Sequence, residues 1–178
     1  CPPEWVTWLQ DSFMVPSCLV PHRGNDAFPD GTQNTSMRLF GPEIVTDALF
    51  QDDSCSTITH DLLCVGGEDT GKYWFMTAAE DWLEVTEHLR ARNGSNTIRL
   101  WSMSLQELSQ APFDVYFYTQ KKGDLVILPS RSFSQTVHRG ITASLCWERM
   151  TLQGLEMFVY HDRFFKQRYV DYRSVFCG

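Results

Sequence analysis

The chain has 178 residues, a formal net charge of −7 and a pI near 5.1. That length suits one domain with a sizeable core, and a hydrophobic fraction of 43% excludes a disordered or collagen-like polymer. The acidic balance disfavours a fold that grips duplex DNA through its phosphates, and no stretch approaches the roughly 18 uninterrupted apolar residues of a membrane span. The sequence begins at Cys1, shows no secretory n-region and h-region, and reads as a piece of a longer chain.

In chain order, the first stretch to about Thr35 is rich in Pro, Asp and Gly. Trp5, Trp8, Leu9 and Phe13 fall at helical spacing, and Pro16, Pro21 and Pro29 then break the pattern. Short apolar pieces around Gly41-Pro42, from Met37 to Phe50, read as strands, as does Ser56 to Val65. The Gly66 to Gly71 segment is a turn before the β-prone run Lys72 to Thr77. Thr77-Ala78-Ala79-Glu80 matches a capping box and predicts a helix with Trp82, Val85 and Leu89 on one stripe, closed by Asn93-Gly94. Ser104 to Glu107 is a second capping box, and Pro112 ends that short helix. Four β-like runs follow: Val115 to Thr119, Leu125 to Leu128, Gln135 to His138 and Ile141 to Trp147. Turn signals at Lys122-Gly123-Asp124 and Arg139-Gly140 separate them. Leu125, Ile127, Val137, Leu145 and Trp147 are expected in one core. Thr151 to Phe165 returns to helical spacing, with Leu152, Leu155, Phe158 and Val159 on one side. Closely spaced short strands with helices at the margins predict an antiparallel barrel or sandwich.

The six cysteines contain no C-x-x-C, so a zinc ribbon or thioredoxin-like site is not indicated. An even count and the sequons at Asn34 and Asn93 permit a secreted, disulfide-stapled domain. Cys64 and Cys146, however, sit in apolar runs where a free thiol behaves as a small buried hydrophobe, and the reading adopted is a reduced, intracellular protein. The nucleophile elbow, phosphate-binding glycine loops and the H-E-x-x-H zinc motif are absent. The tryptophans are read as core rather than as a methyl-lysine cage. The basic cluster Arg163 to Tyr169 is read as a solvated helix face, and the acidic residues Asp47, Asp52, Asp53, Glu68 and Asp69 as solubilising surface that could also meet a basic tail.

Two segments carry chemistry. One is Thr57-Ile58-Thr59-His60-Asp61-Leu62; the other runs from Gly123-Asp124-Leu125-Val126-Ile127-Leu128-Pro129 through Ser134-Gln135-Thr136-Val137-His138-Arg139-Gly140. With Lys72-Tyr73-Trp74 and Cys146-Trp147-Glu148-Arg149-Met150-Thr151, they form an ordered set that resembles the JmjC domain, most closely the fungal versions, within the cupin-type 2-oxoglutarate oxygenases. The similarity covers roughly Met37 to Phe165. It implies a mainly β fold, a double-stranded β-helix of the jelly-roll or cupin kind with flanking α-helices. The corresponding division is a flanking segment over 1–36, a barrel over 37–150 and a helical segment over 151–178.

Position by position, the resemblance implies that His60 matches the family's first Fe(II) ligand and that Lys72 matches the lysine that pairs with 2-oxoglutarate. The acidic ligand position falls on Leu62, the distal His position on Ser134, and a position usually held by Asn on His138. The interval from His60 to Lys72 is also shorter than is usual in the family. Two of the three donors of a facial triad are therefore absent from their places. A rescue would need a bulge near Thr59 to turn Asp61 inward and His138 to stand in for Ser134. The expectation is a degenerate domain of a nuclear, chromatin-associated protein. It would need neither Fe(II) nor 2-oxoglutarate and would serve as a platform for a protein partner, a histone tail or a subunit of a chromatin complex. No direct DNA contact and no membrane contact are expected. The alternative is an active Fe(II)/2-oxoglutarate histone lysine demethylase or protein hydroxylase.

Overall fold

The computed structural model describes residues 36–40, 57–67, 69–93, 103–149, 151–157 and 159–160. Its strands are β1 (Ser36–Phe40), β2 (Ile58–Val65), β3 (Gly71–Met76), β4 (Tyr116–Gln120), β5 (Leu125–Leu128), β6 (Ser134–Arg139) and β7 (Thr142–Arg149). Between β3 and β4 lie two helices, α1 (Trp82–Asn93) and α2 (Leu105–Ser109). One antiparallel sheet has the order β1-β7-β2-β5 and the other β4-β3-β6. The chain changes sheet between β2 and β3, β4 and β5, β5 and β6, and β6 and β7, so its tight turns are crossings rather than hairpins. This is the mainly β, double-stranded β-helix with flanking helices that the sequence predicts.

The crossings are built from turn chemistry. Gly123 has φ of +91° and Gly140 of +75°, where a side chain would strain the backbone. The Asp124 N–H donates to the Lys121 carbonyl at 2.9 Å to close the first of these turns. The second capping box forms as expected: the Glu107 N–H donates to Ser104 Oγ, and the Ser104 N–H donates to Glu107 Oε2. The first does not. The Thr77 hydroxyl accepts the Phe133 N–H at 3.2 Å, and the helix starts at Trp82 instead. A tertiary partner from the β5–β6 connection has outcompeted the local cap.

Period-two alternation divides the apolar residues among three clusters. Between the sheets, Trp74 packs on Val126 and Leu128, with Met76 beside them. On the opposite face of the first sheet lie Leu62, Leu145 and Trp147, joined by Cys64 and Leu125. The helices cover part of the second sheet through Val85, Leu89 and Leu108, joined by Met103, Phe113 and Phe133 from the neighbouring loops, with Phe75 against them. Each buried side chain of this size contributes about 1.5–3 kcal/mol. The single core expected around Leu125, Ile127, Val137, Leu145 and Trp147 is therefore corrected. Leu145 and Trp147 are fully buried, but behind the barrel, and Ile127 is 43% exposed. The inward positions of β5 are Val126 and Leu128.

Residues 152–157 and 159–160 are helical, with the Gly154 N–H capped by Thr151 Oγ1 at 3.0 Å. Leu152 and Val159 on that segment are exposed. The N-terminal helical stripe, the strand pieces after Phe40 and the basic cluster Arg163 to Tyr169 lie outside the described residues, as do Asn34 of the first sequon, Gly94-Ser95 of the second, and Cys1, Cys18, Cys55 and Cys177. Cys64 and Cys146 are free thiols. No helix among the described residues is long and apolar enough to cross a membrane.

Candidate functional site

β2 presents alternate residues to opposite sides, and its partners fix which side is which. Asp61 lies opposite Cys146 of β7 and Val126 of β5, whereas His60 lies opposite Trp147 and Ile127. Val126 belongs to the cluster between the sheets and Trp147 to the cluster behind them. The barrel interior therefore receives Thr59, Asp61 and Leu63, and the rear face receives His60 and Leu62. The register is regular from Ile58 to Leu63, and its one shift falls between Leu63 and Val65. Asp61 points inward without the bulge near Thr59 that the sequence reading required.

Inside, Asp61 meets the second sheet. Lys72 Nζ donates to Asp61 Oδ2 at 2.5 Å, and both side chains are 1% exposed. Cys146 Sγ donates to the same oxygen at 2.7 Å. Asp61 Oδ1 is buried without a hydrogen-bond partner. The Lys72 ammonium also lies 4.4 Å from the Trp74 ring centroid, a cation–π contact that helps offset its loss of water. Gln120, opposite Lys72 on β4, closes the assembly. Its Nε2 donates to the Asp61 carbonyl at 2.8 Å, and its Oε1 accepts from Trp74 Nε1 at 2.8 Å. Burial, with the Asp61 charge adding to it, pushes the Cys146 thiol far up, so it stays protonated and acts as a donor.

His138 lies opposite Lys72 on the other flank of β3 and is buried. Its Nδ1 is 2.7 Å from Thr142 Oγ1 and its Nε2 is 3.5 Å from Thr136 Oγ1. Burial and then the Lys72 charge lower its pKa to about 4, against a smaller opposing pull from Asp61. The imidazole is thus neutral at physiological pH, with both ring nitrogens facing hydroxyls.

The structure brings together Asp61, Lys72 and His138 and leaves His60 out. His60 stacks on Trp147, with ring centroids 5.1 Å apart and 10° between planes, and its Nδ1 lies 3.1 Å from the Ile58 carbonyl. Leu62 sits on that same rear face, so the expected first and second ligand positions both point away from the interior. Ser134 lies opposite Met76, on the interior face of β6. With Asp61 as the inward acid, the residue two positions before it is Thr59, which is not a metal donor of the kind a facial triad uses. Among the described residues, no group of three His, Cys, Asp or Glu converges as a metal site. Gln120, Cys146, Thr136 and Thr142 escaped the sequence reading. Only the alternation around Asp61, taken with a strand pairing that sequence does not reveal, could have found them.

Comparison with known proteins agrees with this architecture. C-module-binding factor A of Dictyostelium discoideum is 24% identical over 163 residues, a match that covers 87% of this chain and 16% of that protein's length. The chain thus corresponds to about a sixth of that relative. The family model described as JmjC domain, hydroxylase, matches residues 53–148, more than half of the chain and every strand from β2 to β6 together with nearly all of β7. The chain belongs to the JmjC domain family.

Proposed function

We propose that this domain is a non-catalytic member of its family, a folded platform that holds a protein partner within a larger nuclear, chromatin-associated protein. The observation that carries this reading is the Lys72–Asp61 ion pair. JmjC domains usually use Fe(II) and 2-oxoglutarate, and here the lysine matched to the cosubstrate carboxylate is engaged by an internal carboxylate instead. The same Asp61 oxygen also takes the Cys146 S–H. Fe(II) needs three fixed donors with positions left open. The inward set of Thr59, Asp61, Ser134 and His138 offers one carboxylate already paired with an ammonium and one imidazole flanked by two hydroxyls. The residues present do not fit the metal and its cosubstrate together.

The Dictyostelium relative is named as a factor that binds a C-module. A platform role inside such a multi-part factor agrees with the small share of that protein which this chain covers. Direct DNA contact is not assigned to the domain, because its net charge of −7 opposes phosphate binding. Calorimetric titration with Mn(II) or Fe(II), with and without 2-oxoglutarate, tests the reading. The expected result is no binding in the micromolar range. Micromolar binding that disappears in Asp61→Asn or His138→Ala would establish the active-oxygenase reading in its place.

A further inference from the structure

Among the described residues, the outer face of the β4-β3-β6 sheet is covered over only part of its length. The helices pack on the end near Phe75, and the other end carries a cleft of about 450 Å³. Tyr73 and Thr119 lie opposite each other on its floor, as do Gly71 and Arg139. Lys121 and Lys122 stand on one side of the cleft and Arg139 on the other, and Asp69 is the one acid among its described lining residues. Three cations gathered at one opening in a chain of net charge −7 form a local positive site in a negative field.

The cleft is continuous with an unusual strand edge. Among the described residues β4 is paired on one side only, by β3. Tyr116, Phe117 and Tyr118 on it are 54%, 59% and 43% exposed. Phe117 stacks on Tyr73, the cleft-floor residue, at 6.0 Å between ring centroids. Exposed edges are usually blunted by Lys, Pro or a bulge. Here three consecutive aromatics occupy the edge, and the lysines come only afterwards, at the cleft.

We infer that β4 accepts an extended acidic peptide from a protein partner as an added strand, with carboxylate side chains entering the cleft between Lys121, Lys122 and Arg139. The inference rests on the platform reading and names the chemistry of its partner. Main-chain hydrogen bonds along β4 supply affinity, the aromatic row supplies apolar contact, and the basic cleft selects for charge. A lysine-rich segment such as a basic tail meets repulsion at the same place.

Fluorescence anisotropy on the full chain tests this, with a labelled peptide of alternating Glu and Val as probe and a Lys–Val peptide as control. The expected result is saturable, salt-sensitive binding of the Glu–Val peptide and none of the control. K121E/R139E alters exposed residues and should weaken binding at least about tenfold with the circular dichroism spectrum unchanged. N-methylation of one of the two alternate sets of peptide amides should abolish binding, because those amides face β4. Equal binding of the control, indifference to K121E/R139E, tolerance of methylation in both sets, or no binding of the Glu–Val peptide would each overturn the inference. None of these outcomes bears on the metal titration, so the non-catalytic reading stands or falls separately.

Discussion

His60 and Asp61 are adjacent in sequence and belong to opposite sides of one sheet: the imidazole is stacked on Trp147 behind the barrel, and the carboxylate is paired with Lys72 inside it. Side-chain alternation along a strand makes any two neighbours incompatible as ligands of one interior ion. The pair therefore divides structure from site: His60 is part of a packed wall and Asp61 is part of the interior polar cluster.

The ion pair has a measurable signature. Asp61→Leu or Lys72→Met alone leaves a buried charge without its partner and should cost about 3–5 kcal/mol. Joint replacement, Asp61→Leu with Lys72→Met, should fall within about 1 kcal/mol of the parent or above it, since removing both charges removes both desolvation penalties. Urea unfolding of the four proteins gives the coupling directly. Simple additivity of the two single changes would show that the charges do not depend on each other.

Restoring the family's ligands at their aligned positions should fail. Leu62→Asp puts a carboxylate among Leu145 and Trp147 rather than in the interior. It should destabilise by more than about 3 kcal/mol through lost packing and an unpaired charge. Combined with Ser134→His it should gain no Mn(II) binding. A thermal melt and a metal titration on the same sample check both halves, and recovered binding would mean that β2 can slip by one residue. Thr59, two positions before Asp61, is the place where a second inward donor belongs.

Acid should act through His138. Its pKa is near 4 in the folded protein, against 6.5 for an unperturbed imidazole. Between those values the unfolded chain holds a proton that the folded one lacks. The stability contribution is fully present above about pH 6.5 and declines as pH falls to about 4, by at most about 1.4 kcal/mol per pH unit. His138→Gln should flatten the curve over that window. Parallel pH profiles for the parent and variant, read from urea midpoints, would contradict this origin.

Trp147→Ala should cost about 3–5 kcal/mol, the range for deleting a buried aromatic. Trp147 is wholly buried against Leu62, Leu145 and the His60 ring. A melting temperature unchanged by the substitution would be incompatible with that packing.

Much of the architecture was legible in the sequence because strand signals and turn signals agree. Leu125 to Leu128 was predicted to the residue, and Gly123 and Gly140 marked turns that need positive φ. Thr77-Ala78-Ala79-Glu80 misled because a cap motif is a local statement, and the distant Phe133 amide claimed the hydroxyl. The site was less legible for one reason. A strand pattern gives two faces but not which face is inward, and the resemblance assigned the inward face of β2 to His60 and Leu62. The partners Val126, Cys146 and Lys72, all distant in sequence or on another strand, assign it to Asp61.

The order β1-β7-β2-β5 also governs how the chain can reach its native state. β2 takes β7 as one neighbour and β5 as the other, and β1 has β7 as its sole described partner. Of the two inner strands of that sheet, β7 is thus the last of its described strands to leave a ribosome. Until it arrives, β1 and β2 lie side by side in the final plan with a strand-wide gap between them. Few local pairings can accumulate early, so loop-closure entropy must be met before the sheet returns any stability, and slow folding is the expected consequence. Fragments truncated ahead of Thr142 should expose the open edge of β2 and associate with one another, which makes the C-terminal boundary of any expressed piece a determinant of solubility.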